Sequence, residues 1–217
     1  MDERKRLAEV WPLFDLAVRT PRLELRYPTD LDLVEVARRT GDIHAPDVMP
    51  FTVPWSRAPD GERERNALQY FWQSRAAVSA TSWDLSLVVV VEGDVVGNQS
   101  LRTTEFSVRR TVETGSWLYR PLQGQGLGRE MREAVLHLAF AGLGAQRAET
   151  EAYEGNEASR RVTTGLGYRL NGEFVDHLDG RTRRLQAYVL DRDGWEPRRR
   201  DDIELIGVEA CRDLLGA

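Results

Sequence analysis

Hydrophobic positions along this chain change their spacing several times, and each change marks an element. Leu23 and Leu25 alternate with polar neighbours, the two-residue period of a strand. Thr29-Asp30 then offers an N-cap to a helix over Leu31 to Thr40, which Gly41 ends. A second helix is predicted from Glu62 to Ala77, with Leu68, Phe71, Trp72 and Arg75 marking its packed face. Strands follow over Trp83 to Glu92 and Val95 to Thr103, around the turn pair Gly93-Asp94, and over Thr111 to Tyr119. Leu127, Met131, Ala134, Val135 and Leu138 then recur at helical spacing, with Arg129, Glu130, Arg132 and Glu133 between them. That helix should run to Phe140 and stop at Gly142 or Gly144. A strand over Arg147 to Tyr153, a helix over Asn156 to Thr164, and strands over Gly167 to Val175 and Arg181 to Leu190 complete the pattern.

Strands first, then alternating helices and strands, predict an α/β fold with a mixed, mostly antiparallel central sheet and helices on both faces. Residues 1–19 read as an N-terminal extension, with Trp11 to Phe14 apolar enough to dock on the domain. Residues 20–190 read as the domain itself, and 191–217 as a charged C-terminal tail with a short apolar segment.

Composition narrows the setting. The 217 residues are 41% hydrophobic and 30% charged, enough for one globular domain with a sizeable core. The longest apolar run, Leu87 to Val91, suits a buried strand and is too short to cross a bilayer. No signal-like segment leads the chain, so no membrane role and a cytoplasmic location are expected. A net charge of −5 argues against nucleic acid as the partner. The single cysteine, Cys211, excludes an internal disulfide and is a poor candidate nucleophile, and Lys5 is the only lysine. His44, His137 and His177 do not cluster with carboxylates at ligand spacing, so no metal is expected; His137 falls on the expected polar face of its helix and His177 in a turn-like stretch from Asp176 to Gly180.

The candidate chemistry centres on Gln123-Gly124-Gln125-Gly126-Leu127-Gly128, between a strand and a helix. Three glycines in five positions let a ligand approach the backbone, and amides at a helix start favour an anion. The loop lacks the Lys and Ser/Thr of a nucleotide-hydrolysing P-loop, and its glycine spacing is not that of a dinucleotide fingerprint. Glycines alone leave a tight turn and a ligand site equally open.

The wider pattern is more specific. Gln123-x-x-Gly126-x-Gly128 resembles the Q/R-x-x-G-x-G/A signature of the GCN5-related N-acetyltransferase (GNAT) superfamily. Glu113-Thr114-Gly115-Ser116-Trp117-Leu118, the Asn156-to-Ser159 and Gly165-to-Tyr168 pair, and Thr20 to Arg26 resemble, in order, segments of its ribosomal-protein N-terminal acetyltransferase branch. The resemblance implies a GNAT-like domain that binds acyl-CoA, with acetyl-CoA the first donor expected and succinyl-CoA the second. The amides of Gly124, Gln125, Gly126, Leu127 and Gly128, with Gln123, would hold its pyrophosphate. The backbone of Trp117 and Leu118 would pair with the pantetheine arm, and the Leu118 amide would face the thioester oxygen, a contribution of about 3–4 kcal/mol.

Further roles follow from the same resemblance. Glu113 is expected as general base, sharing a strand face with Gly115 and Trp117, unless it is an ordinary strand carboxylate paired with an arginine. Glu105, Glu149 and Glu151 stand in reserve. Asn156 would cap its helix and touch the cofactor, while Ser159 would donate a proton to the leaving thiolate. Many relatives place a tyrosine where this chain has Thr163, and Tyr153 is a conceivable substitute. The proline-rich segment with His44, Asp47, Phe51 and Trp55 would wall the acceptor pocket. The acceptor would be a primary amine, of a protein N-terminus or a small molecule, attacked directly in a ternary complex. A homodimer is common among similar proteins, and a CoA-binding sensor without turnover is the competing class.

Overall fold

The computed structural model describes residues 3–178 and 180–217, so Met1, Asp2 and Asp179 of the segments read above lie outside it. In chain order the elements are α1 (Glu3–Ala8), β1 (Ala17–Arg19), β2 (Glu24–Arg26), α2 (Asp30–Arg38), α3 (Glu62–Ala76), β3 (Ser82–Val91), β4 (Asp94–Thr104) and α4 (Phe106–Arg109). They continue with β5 (Thr111–Leu118), α5 (Leu127–His137), β6 (Arg147–Tyr153), α6 (Glu157–Gly165), β7 (Arg169–Leu178), β8 (Arg181–Asp191), α7 (Arg192–Trp195), β9 (Glu204–Ile206) and α8 (Val208–Leu215).

The nine strands of the described residues form one sheet in the order β7-β8-β6-β5-β4-β3-β2-β1-β9. Each neighbouring pair is antiparallel except β5 and β6, which run parallel because α5 carries the chain back between them. On β3, Trp83, Leu85, Leu87 and Val89 enter the main core, while Val88 and Val90 meet Leu33 and Val36 of α2 and Phe71 of α3 on the opposite face. The main core holds α5 and α8 against the sheet through Leu127, Met131, Val135, Cys211 and Leu215. The fold is therefore an α/β domain with a mixed, mostly antiparallel sheet and helices on both faces. Among the described residues, no helix is long and apolar enough to cross a membrane.

Helix α2 starts as its sequence predicts. Thr29 Oγ1 accepts from the Asp32 amide at 3.3 Å while the Thr29 amide donates to Asp32 Oδ2 at 2.9 Å, a reciprocal cap. Replacing Thr29 by alanine should therefore lower unfolding free energy by about 1 kcal/mol in a urea titration, with no change in slope.

Several elements differ from the sequence expectation. The hairpin turn is Glu92-Gly93, both at positive φ, one residue earlier than Gly93-Asp94. Trp72 is not on the packed face of α3; it is half exposed and donates its indole N–H to Asp30. His177 lies at the end of β7 rather than in a turn. The segment after Asp191 is built into the domain: β9 pairs with β1 in register Val18↔Leu205, and α8 buries Val208, Cys211 and Leu215. Neither β1 nor β9, at three residues each, is long enough to show a period.

The largest correction concerns α5. Its expected polar face is covered, with Glu130, Arg132 and His137 each at most 6% exposed. The N-terminal strands bring Thr20 and Arg22 onto Glu130, and the C-terminal segment brings Trp195 edge-on to His137. Burial, and then the charge of Arg199, lowers the His137 pKa, so this histidine is neutral at pH 7 and not solvated.

Candidate functional site

Elementary strand geometry opens a slot in this sheet. β5 and β6 pair only from Thr111↔Arg147 to Glu113↔Glu149 and then diverge. The Tyr119 amide donates to Val96 across to β4 at 2.8 Å, and antiparallel hydrogen-bonded pairs alternate. In the β4–β5 register this turns the amides of Trp117, Gly115 and Glu113 toward β4 and those of Ser116 and Leu118 toward the gap. Beyond the last paired residues, those two amides face open space where a strand would otherwise sit. A ligand with its own amides can fill that edge.

The glycine loop closes one end of the slot. Gly124 and Gly126 have φ of +76° and +82°, a backbone region costly for residues with a Cβ. None of the backbone N–H groups of residues 124–128 donates to a partner among the described residues. They converge at the start of α5, where the helix dipole adds positive potential. Arg22 steadies the loop, donating to the Gln125 carbonyl at 3.0 Å while pairing with buried Glu130. Gln123 has a different task from the amides: its side-chain NH2 donates to the carbonyls of Leu118 and Ile43, both at 2.7 Å, tying loop, strand end and proline-rich segment together.

On the far side of the gap, Asn156 caps α6 by accepting from the Ser159 amide at 3.2 Å. The Ser159 hydroxyl, half-buried on the first turn, has no partner among the described residues. Thr163 Oγ1 is fully buried in the protein and offers nothing to the gap. Tyr153 is also committed: its hydroxyl donates to Asp176 at 2.5 Å under the Arg183 guanidinium, and burial, followed by that carboxylate, pushes its pKa up to about 12. Cys211 is fully buried, its thiol pushed up to about 11 by burial and then by Asp15.

The proline-rich segment reaches the same place through aromatic contacts. His44 packs on Phe51, Phe51 on Trp55 and Trp55 on Trp117 of β5, with centroids 5.0–6.3 Å apart. His44 bonds Ser56 and the Ala45 carbonyl, so it folds the segment, while Asp47 is exposed. Met49 accepts from Arg183 of β8, which draws the segment across the open part of the sheet face. Beneath it, Glu113, Glu149 and Glu151 stand on one face of β5 and β6. Glu113 is half exposed and ion-paired with its cross-strand partner Arg102 at 2.8 Å. Glu151, exposed two residues beyond the last β5–β6 pair, has its carboxyl raised above the ordinary range by partial burial, then by the charge of Glu113. Glu105 stands outside these strands, in a left-handed turn before α4.

Comparison with known proteins identifies the domain. The family model of the acetyltransferase (GNAT) domain matches residues 22–169. A candidate ribosomal N-acetyltransferase of Bacillus subtilis strain 168, YdaF, is 28% identical over 110 residues, which is 50% of this chain and 60% of that protein. The RimJ protein of Mycobacterium smegmatis, solved with a CoA disulfide, superposes with a TM-score of 0.69 at 21% identity over 86% of this chain and 90% of that one. The ribosomal-protein-S5-alanine acetyltransferase of Vibrio fischeri gives 0.64 at 20% identity over 84% and 100%. The chain belongs to the GNAT acetyltransferase family.

Proposed function

We propose that this chain transfers an acyl group from coenzyme A to the primary amine of a protein N-terminus, by direct attack in a ternary complex. The observation that carries the reading is the continuity of unpaired backbone donors. Five loop amides suit the pyrophosphate, the pantetheine arm spans from the loop to the strand end, and on the gap edge the Leu118 amide suits the thioester oxygen while the Ser116 amide, one step deeper, faces the acyl group. The Leu118 amide, aimed into the gap, stabilises the developing oxyanion. Ser159, free on the opposite wall, protonates the departing thiolate. Glu151 accepts the proton of the attacking amine, with Glu113 held beside it by Arg102.

The acceptor enters from the face that His44, Phe51 and Trp55 cover. An ammonium group is drawn to the carboxylates there and gives up its proton before attack. A protein N-terminus is favoured because one relative is named a ribosomal-protein-S5-alanine acetyltransferase and another a candidate ribosomal N-acetyltransferase; a small amine is the alternative acceptor. The donor's acyl group is acetyl in the family's name.

Two measurements on the full chain test the reading. Calorimetry should show CoA binding at micromolar concentration, and thiol release from acyl-CoA should depend on an added amine from a panel of N-terminal peptides and polyamines. Absence of CoA binding would overturn the site. Binding with no amine-dependent thiol release across acyl groups would make the chain a CoA sensor.

A further inference from the structure

Arg132 is 4% exposed on α5 and has no carboxylate within ion-pairing distance among the described residues. Its guanidinium spans the point where the two strands part. One terminal nitrogen donates to Thr150 Oγ1 of β6 at 3.3 Å, the other to Ser116 Oγ of β5 at 3.1 Å, and Nε has no partner. Tyr168, buried beside it, adds only a neutral phenol. A buried guanidinium is unfavourable unless it is paired with an anion, and two neutral hydroxyls do not supply one.

The protein's own acids are unable to reach it. Glu130 is held by Arg22, and Glu133 by Arg129 and Arg200. Glu149 and Glu151 flank Thr150 in the strand and therefore project from the opposite face of the sheet. The missing anion must come from a ligand. Ser116, half exposed although it sits mid-sheet, shows that the guanidinium borders the gap. A pyrophosphate on the glycine loop is the wrong anion, since Arg132 lies six residues along the helix from Gly126, about 9 Å away at 1.5 Å per residue.

Resting on the acyl-CoA reading above, we infer that the donor carries an acyl group ending in a carboxylate, such as succinyl, which Arg132 binds at the apex of the strand gap. The transfer itself is unchanged. The amine nitrogen forms the amide C–N bond, the thioester C–S bond breaks, the thiolate takes a proton, and the distal carboxylate stays on the product. Acetyl-CoA would leave the guanidinium unpaired.

Unreactive thioethers test this without an acceptor. S-(3-carboxypropyl)-CoA and S-butyl-CoA have the same chain length and differ only in the terminal carboxylate. Calorimetry should show the first binding about 10- to 100-fold tighter to the wild-type chain. Arg132→Met should abolish that ratio and Arg132→Lys should keep part of it, both checked for folding by thermal melting. Equal affinities in the wild type, or a ratio unchanged in Arg132→Met, would overturn the inference and make Arg132 a tie between strands. If plain CoA also fails to bind, the acyl-CoA reading itself falls. Should Arg132→Met not fold, the wild-type ratio and Arg132→Lys still decide.

Discussion

Glu151→Gln should lower kcat by about 100- to 10,000-fold at neutral pH, the usual range for loss of a positioned general base. The pH profile makes the test specific. Glu151 is exposed, but partial burial raises its carboxyl, the charge of Glu113 raises it further, Arg102 opposes, and Glu149 and Asp176 add smaller increases. A base works only when deprotonated, so wild-type kcat should climb with pH through a midpoint above the ordinary glutamate value. The glutamine variant should lose that limb. Glu113→Gln should keep the limb but move it to lower pH, because it removes a neighbouring negative charge and frees Arg102 to face Glu151. The reverse pattern, with the limb lost in Glu113→Gln and kept in Glu151→Gln, would return the base to Glu113. Stability separates chemistry from folding. A carboxyl raised in the folded state weakens the fold once pH exceeds that raised value, so Glu151→Gln should melt no lower than wild type at pH 7.

These residues differ in how visible they are in the sequence, and the reason is physical. The glycine loop is legible because a missing Cβ is itself the functional property, and both Gly124 and Gly126 take the positive φ that only glycine adopts freely. The period-two strands from Trp83 to Thr103 are legible because each face of the sheet has its own apolar cluster. The surroundings of α5 are not. Its apolar stripe faces the sheet as the spacing requires, but nothing in that spacing reveals that Arg22 and Trp195, 108 and 58 positions away from their partners Glu130 and His137, will cover the other side. Arg132 therefore reads as a solvated arginine. The one signal that could have found it is its place three residues before Val135, on the flank of the apolar stripe rather than at the centre of the polar side. Glu113 shows the complementary limit. Its strand face was predictable, whereas the cross-strand arginine that engages it depends on a register that only the assembled β4–β5 pair sets.

Gly126→Val should raise the KM for acyl-CoA by about 10- to 100-fold while changing kcat at saturation much less. The argument begins with the backbone. At φ +82°, an L side chain costs about 1–2 kcal/mol, and a β-branched one sits at the upper end. Its Cβ would lie 3.3 Å from an Arg22 nitrogen that is already bound to Glu130, a contact with little room to yield. The cheaper response is rotation of the peptides at Gln125 and Gly126, which swings one or two amides away from the anion. A hydrogen bond to a charged partner contributes about 1.5–3 kcal/mol, so the loss of one accounts for the whole expected change in KM. The reacting atoms are held elsewhere, at Leu118, Glu151 and Ser159, and a saturating donor still reaches them. Gly124→Ala provides the internal scale: it too has positive φ, but a Cβ there meets nothing within 4 Å, so only the backbone penalty applies and the KM change should be smaller. Unchanged acyl-CoA affinity in Gly126→Val, with the variant folded by circular dichroism, would mean that the anion binds somewhere other than this loop.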